Sequence, residues 1–247
     1  MLLLLPPSET KRDGGADGTS LDLTALSFGQ LAPQRRSALA GLRKVSRNAS
    51  LATGALGLGP KQAFEIARNR SIGTSPLLPA IERYTGVLYD GLDASGLTPE
   101  QRAFAQDHIA IHSALFGLLA ADDPIPAYRL SHDSRLPELS LRTLWRPAIS
   151  SLLESRGGLI LDLRSEAYAA LGPAPSGARY LRVVTENATG RRVALSHFNK
   201  KAKGEFTRAV IEAGIVHPDE ASLFAWAERS GQRLEPGAPG EIDLVVG

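Results

Sequence analysis

At 247 residues, with 43% hydrophobic and 22% charged positions, the chain has the composition of an ordinary soluble globular protein and enough length to bury a full core. It contains no cysteine, which excludes disulfides, thiolate metal sites and cysteine nucleophiles, and no window approaches the ~18 apolar residues of a membrane span. The net charge is only +2, yet it is unevenly placed, and that unevenness is the first functional signal.

The opening run Met1 to Leu5 stops at Pro6-Pro7, with no basic leader and no small-residue cleavage site. It reads as a buried first strand and not as a signal peptide, so a cytoplasmic location is expected. Ser8 to Lys11 follows, and Gly14-Gly15 with Asp17-Gly18 marks a polar loop. Helices are predicted over 34–48 and 60–70. Between Arg35 and Arg70 there are eight basic residues (Arg35, Arg36, Arg43, Lys44, Arg47, Lys61, Arg68, Arg70) and one acid, Glu65. Within this basic lobe, residues 34–70, the stretch Leu56-Gly57-Leu58-Gly59-Pro60-Lys61 reads as the turn of a helix-hairpin-helix. Gly57 and Gly59 can take positive φ and let a phosphate approach the backbone, Pro60 suits a first helical position, and Lys61 adds a mobile charge. Such a contact grips double-stranded DNA without choosing a sequence. An ordinary helix connection closed by a glycine fits the same residues.

Further along, an extended piece is predicted from Tyr84 to Tyr89. Thr98-Pro99-Glu100-Gln101 then supplies an N-cap, a proline at the first helical position and a capping-box glutamine. Phe104, His108, Ile111, Leu115 and Leu118 continue at the spacing of a buried helical stripe. A helix is predicted over 143–155 and an inner strand over 159–163. Two antiparallel strands, 180–185 and 192–198, are predicted about the turn Asn187 to Gly190. Helices over 200–213 and 218–229 and a strand over 241–246 complete a single mixed α/β domain, its sheet flanked by helices.

A second basic cluster lies at His197 to Gly204. Arg191, Arg192, Lys200, Lys201, Lys203 and Arg208 face one acid, Glu205. Three lysines at a helix N-terminus oppose the dipole, so an anion site is expected there. Tyr84-Thr85-Gly86, Tyr128-Arg129 and Ser165-Glu166-Ala167-Tyr168 are polar clusters at strand or loop ends, where α/β sheets build sites. His108 and His112 have the spacing of a metal pair but lack a third ligand. No metal site is expected, and without a Walker loop or dinucleotide fingerprint no cofactor is either.

Taken in order, Met1 to Lys11, Tyr84 to Leu92, His112 to Leu119, Pro126 to Leu130 and Lys200 to Gly204 resemble the peroxide stress protein YaaA family across nearly the whole chain. The resemblance implies a compact α/β fold, a cytoplasmic role in surviving hydrogen peroxide, and a helix-hairpin-helix with a basic cleft that binds double-stranded or distorted DNA. The chain departs from that pattern at Lys203, where many relatives carry arginine, and around Asp162 to Tyr168, where the acid Glu166 is displaced by one position. DNA-binding residues are accordingly expected at Arg43, Lys44, Arg47, Gly57, Gly59, Lys61, Arg68, Lys200, Lys201 and Lys203. The alternative is an enzyme whose cleft, lined by Lys11, Tyr84, Arg129, Ser165 and Lys201, takes a phosphorylated or nucleotide-like anion. No membrane partner is expected.

Overall fold

The structure, a computed structural model, describes residues 1–186, 192–194 and 199–247. The strands in chain order are β1 Leu2–Leu5, β2 Leu78–Pro79, β3 Ile109–Ser113, β4 Gly117–Ala120, β5 Pro124–Ile125, β6 Ile160–Asp162, β7 Arg179–Glu186, β8 Arg192–Ala194, β9 Leu234–Pro236 and β10 Glu241–Val246. The helices are α1 Ala32–Ser46, α2 Ala49–Leu56, α3 Phe64–Arg70, α4 Ala80–Arg83, α5 Val87–Leu92, α6 Pro99–His108, α7 Leu141–Glu154, α8 Glu166–Ala169, α9 Asn199–Ala213 and α10 Glu220–Arg229.

One mixed sheet runs in the order β4-β3-β1-β6-β7-β10-β9, with β8 paired to β7. The leucine run of β1 is an inner strand, parallel to β3 through Leu3–Ile109 and to β6 through Leu3–Leu161. All four of its residues are buried, as expected for a parallel strand covered on both faces. Helix α7 covers the sheet with Leu141, Trp145, Ile149 and Leu153, four buried residues spaced four apart. Trp145 donates its indole N–H to Ala114 O (2.9 Å), and a Cβ at Gly117 would meet the Trp145 ring at 2.6 Å.

Local signals explain several boundaries. Thr98 Oγ1 accepts from Gln101 N, and Gln101 Oε1 accepts from Thr98 N, so α6 begins at the expected capping box. It does not continue through the predicted stripe. At Ile109 the chain becomes β3, because this run finds hydrogen-bonding partners on β1 and β4 that a helix would forgo. His108 ends the helix and His112 sits mid-strand, so the two never share a helical face. The piece predicted as extended from Tyr84 to Tyr89 is extended only at Tyr84, which bridges Lys11; α5 begins at Val87. The turn Asn187 to Gly190, Arg191, and the strand residues predicted over 195–198, including His197 and Phe198, lie outside the described residues.

The lobe holds three helices where two were expected. Asn48 accepts from Leu51 N (3.0 Å) and starts the additional helix α2. Gly57, at φ +61°, ends α2 in the left-handed conformation that favours glycine. A turn of 3-10 helix, Pro60–Gln62, leads into α3.

Candidate functional site

Four of the five chain segments that carry the resemblance meet beyond the C-terminal ends of β1 and β3, where α/β sheets place ligands. The segment after β1 docks on Tyr84-Thr85-Gly86: Lys11 pairs with Tyr84 as an isolated antiparallel bridge, Thr85 N donates to Thr10 O (3.3 Å), and Tyr89 donates its hydroxyl to Pro6 O (2.8 Å). The fifth segment packs behind. Glycine at 204 lets α9 lie against α5, since a Cβ there would sit 2.0 Å from Leu88 O, and one at Gly91 would meet Lys201 O at 2.8 Å.

Lys11 is the centre of this cluster. Its ammonium donates to Ser8 O and Glu9 O, both at 2.9 Å, and lies 4.4 Å from the Tyr128 ring centre and 5.6 Å from that of Tyr84. It is buried and forms no ion pair among the described residues. Burial first, and then the neighbouring Arg129 guanidinium, bring its pKa down to about 7, against the opposing pull of Glu65 and Glu9. Arg129 pairs with Glu9 at 2.9 Å, yet its own side chain is 9% exposed and that of Glu9 is 62% exposed. The Arg129 Nε is buried with no partner among the described residues. Arg129 is positioned from the lobe: Asn69 of α3 accepts from Arg129 N (2.8 Å) and donates to Arg129 O (2.9 Å).

A chain of hydroxyls lies under the lysine, and its direction is fixed by its backbone end. Ser113 Oγ accepts from Leu115 N (3.1 Å) and Phe116 N (2.9 Å), which uses both lone pairs. The serine proton therefore goes to Tyr128 Oη at 2.7 Å, and the Tyr128 proton to Tyr84 Oη at 2.7 Å. Tyr84 is left holding a proton with no acceptor among the described residues. Burial raises the pKa of both phenols, so they stay protonated at neutral pH. Tyr84 also lines a hollow of about 280 Å³ with Arg12, Glu82, Tyr89 and Asp90.

Behind the cleft, Arg164 grips Asp162 with two hydrogen bonds (2.8 and 2.6 Å) and donates to Gly172 O and to His112 Nδ1 (both 2.9 Å). Arginine can only donate, so His112 accepts at Nδ1 and is neutral, in line with a pKa held well below the usual value by burial and by Arg164. No group of three or more acidic or histidine side chains that could hold a metal occurs among the described residues.

Of the expected enzyme residues, the structure joins Lys11, Tyr84 and Arg129. Ser165 instead caps α8 by accepting from Tyr168 N (3.4 Å), and Lys201 is exposed and paired with Glu205 (3.1 Å). Lys203 parts from its neighbours. It is buried, donates to Leu163 O (3.0 Å) and lies 5.0 Å from the Tyr180 ring centre, with its pKa lowered by burial to about 8. A single carbonyl needs a single donor, which the Lys203 ammonium supplies. Lys200 is exposed, but the three lysines do not form one anion site. Glu166 lines a separate cavity of about 480 Å³ with Asp162, Tyr180 and Arg182. Glu9, Asn69 and Ser113 carried no sequence signal of their own.

The lobe corrects the reading of its turn. Gly59 has φ −77°, so it does not use the positive φ open to glycine, and its N–H is already donated to Gln62 Oε1 (2.9 Å). The Gly57 and Leu58 N–H groups are donated to Gly54 O (3.4 Å) and Thr53 O (3.0 Å). None of the three turn amides is left for a phosphate. Among the cations, Arg35 is fully buried and donates to Phe116 O, Leu118 O, Leu26 O and Ser27 O. Arg68 pairs with Glu65 and Asp13, and Lys44 with Glu138. Arg36, Arg43, Arg47 and Lys61 are exposed, with no carboxylate partner among the described residues.

A central mixed sheet flanked by helices, a lysine–tyrosine–arginine cluster beyond β1 and β3, and a basic helical lobe that supports its arginine together define a class of α/β protein with a buried cationic cluster. The family model described as peroxide stress protein YaaA matches residues 1–230, and the chain belongs to that family. It is 43% identical over 253 residues to a UPF0246 protein of Corynebacterium glutamicum strain R, covering 100% of both chains. A UPF0246 protein of Streptomyces coelicolor is 37% identical over 259 residues, covering 100% of this chain and 98% of the relative. One from Bacteroides thetaiotaomicron is 32% identical over 164 residues, covering 62% and 64%. No helix among the described residues is long and apolar enough to cross a membrane.

Proposed function

We propose that this member of the peroxide stress family binds the backbone of duplex DNA without sequence preference, through side chains on the outer face of the lobe. One observation carries the reading. Between residues 36 and 70 every exposed charge is positive, because the single acid, Glu65, is buried and bonded to Arg68. Arg36, Arg43, Arg47 and Lys61 supply that face, and the occupied turn amides make the grip a side-chain one. A phosphate contact of this kind positions a protein and carries no base information.

Fluorescence anisotropy of labelled duplexes across a range of salt tests it. The slope of log affinity against log salt should have a magnitude of about 0.9 per phosphate neutralised, and Arg43→Ala with Arg47→Ala should lower that magnitude by about 1.8, equally for unrelated sequences. Wild-type protein that fails to bind duplex at low salt would overturn the reading.

A second reading is favoured by the convergence of Lys11 and Arg129: the cleft binds a small anion, which competes with the exposed Glu9 for the Arg129 guanidinium. Calorimetric titration with inorganic phosphate, of wild type and of Arg129→Ala, tests it independently of DNA.

A further inference from the structure

We propose that Lys11 is a nucleophilic amine that forms an imine with the carbonyl group of a small phosphorylated aldehyde or ketone. The inference deepens the second reading, since it takes the cleft as an anion site and assigns chemistry within it. Three features of the geometry carry it. The Lys11 amine is held by two neutral carbonyls and the face of an aromatic ring, and forms no ion pair with a carboxylate among the described residues. The Ser113–Tyr128–Tyr84 chain runs in one direction only and ends at the hydroxyl of Tyr84, whose ring centre lies 5.6 Å from that amine. Arg129, its side chain nine-tenths buried, keeps Nε unpartnered and releases nothing more than an exposed glutamate when it takes an anion.

The chemistry balances with these groups alone. The nitrogen lone pair of neutral Lys11 attacks the carbonyl carbon, and the π pair moves to oxygen. One N–H proton passes to that oxygen, giving a carbinolamine. The C–O bond then breaks with a proton supplied from Tyr84, water leaves, and the nitrogen lone pair closes the C=N bond. The iminium returns its N–H proton to the tyrosinate, so one aldehyde and one amine give one imine and one water. Burial supports the step, because an amine with a pKa of about 7 is about half free base at pH 7, whereas an exposed lysine is almost wholly protonated there.

The test is reductive trapping on the full wild-type chain. Glyceraldehyde 3-phosphate and, separately, glyceraldehyde are added with borohydride at pH 7, the hydride reducing any imine to a stable secondary amine, and the modified positions among the six lysines are mapped by mass spectrometry. The expected result is labelling at Lys11 about tenfold above that at exposed Lys44, Lys61, Lys200 or Lys201, with the phosphorylated aldehyde preferred and inorganic phosphate protecting. Equal labelling of Lys11 by both aldehydes would keep the imine and overturn the anion reading. Labelling confined to the exposed lysines would overturn the imine, and the phosphate titration of wild type and Arg129→Ala then decides the anion reading by itself. No variant needs to fold for the first result to be read.

Discussion

The outer face of the lobe and the interior beneath it are built from the same residue type at adjacent positions, and they do opposite things. Arg35 and Arg36 are neighbours on α1. Arg35 is fully buried and distributes its guanidinium over four main-chain carbonyls, from Phe116 and Leu118 on the sheet side and from Leu26 and Ser27 on the entering loop. Arg36 is exposed. Arg83 repeats the inner pattern, donating to carbonyls of Ile125, Arg12, Gly14 and Pro76. Positive charge counted along a sequence is thus not surface charge: part of the basic window holds loops together, and only the remainder is available to a partner.

The largest effect is expected where that division is tested directly. Arg35→Met leaves several buried carbonyls without their donor and should cost on the order of 3 kcal/mol or more in urea unfolding, while Arg36→Ala stays within about 0.5 kcal/mol. Their effects on duplex binding should be the reverse, Arg36→Ala weakening it and any stably folded Arg35 variant leaving it unchanged. Similar stability losses at both positions would erase the distinction between inner and outer cations.

A smaller effect sharpens the same contrast inside the cleft. Lys11 has a folded pKa of about 7 against 10.5 when unfolded, lowered mainly by burial. Between those values the unfolded chain binds more protons than the folded one, so stability rises with pH from about 7 to 10.5, by at most about 1.4 kcal/mol per pH unit from this group. Below pH 7 both states are protonated, and the full cost of burying the charge is present without further pH dependence. Lys11→Met should flatten that slope relative to wild type, whereas Lys201→Met, on an exposed lysine, should leave it unchanged. Chemical unfolding at pH 7, 8, 9 and 10 reads both. An unchanged slope in Lys11→Met would mean that the cleft amine is solvated and the contrast between regions is false.

What could be read in advance follows the range of the interactions. The β1 strand, the capping box of α6 and the β10 strand rest on residues close in sequence, and the structure has them where local pattern puts them. The β3 strand was hidden because Phe104, His108, Ile111, Leu115 and Leu118 mimic helical spacing, and only pairing with β1 and β4 makes 109–113 extended. The cleft was legible as separate pieces. Its working connections, Ser113 to Tyr128 to Tyr84 and Asn69 to Arg129, span 15, 44 and 60 residues and leave no local trace. The directed hydroxyl chain depends on two amides at the β3–β4 turn, which no residue-type pattern displays.

The smallest expected effect separates the two glycines of the lobe turn, which look equivalent in sequence. Gly57 has φ +61°, a region costing an ordinary residue about 1–2 kcal/mol, so Gly57→Ala should destabilise by roughly that amount. Gly59 has φ −77°, and a Cβ there would meet only Gln62 Oε1, at 3.6 Å, an ordinary contact. Gly59→Ala should therefore be neutral, or stabilise by about 0.4–1 kcal/mol through a less flexible unfolded chain. Thermal unfolding distinguishes the pair. Duplex affinity adds the decisive reading, because a grip made by Arg36, Arg43, Arg47 and Lys61 side chains does not require backbone approach at Gly59. Unchanged affinity in Gly59→Ala agrees with that grip. A loss of tenfold or more in a variant that keeps its stability would show that the Gly59 N–H leaves Gln62 to meet a phosphate, and would move the contact from the lobe's outer cations to its turn.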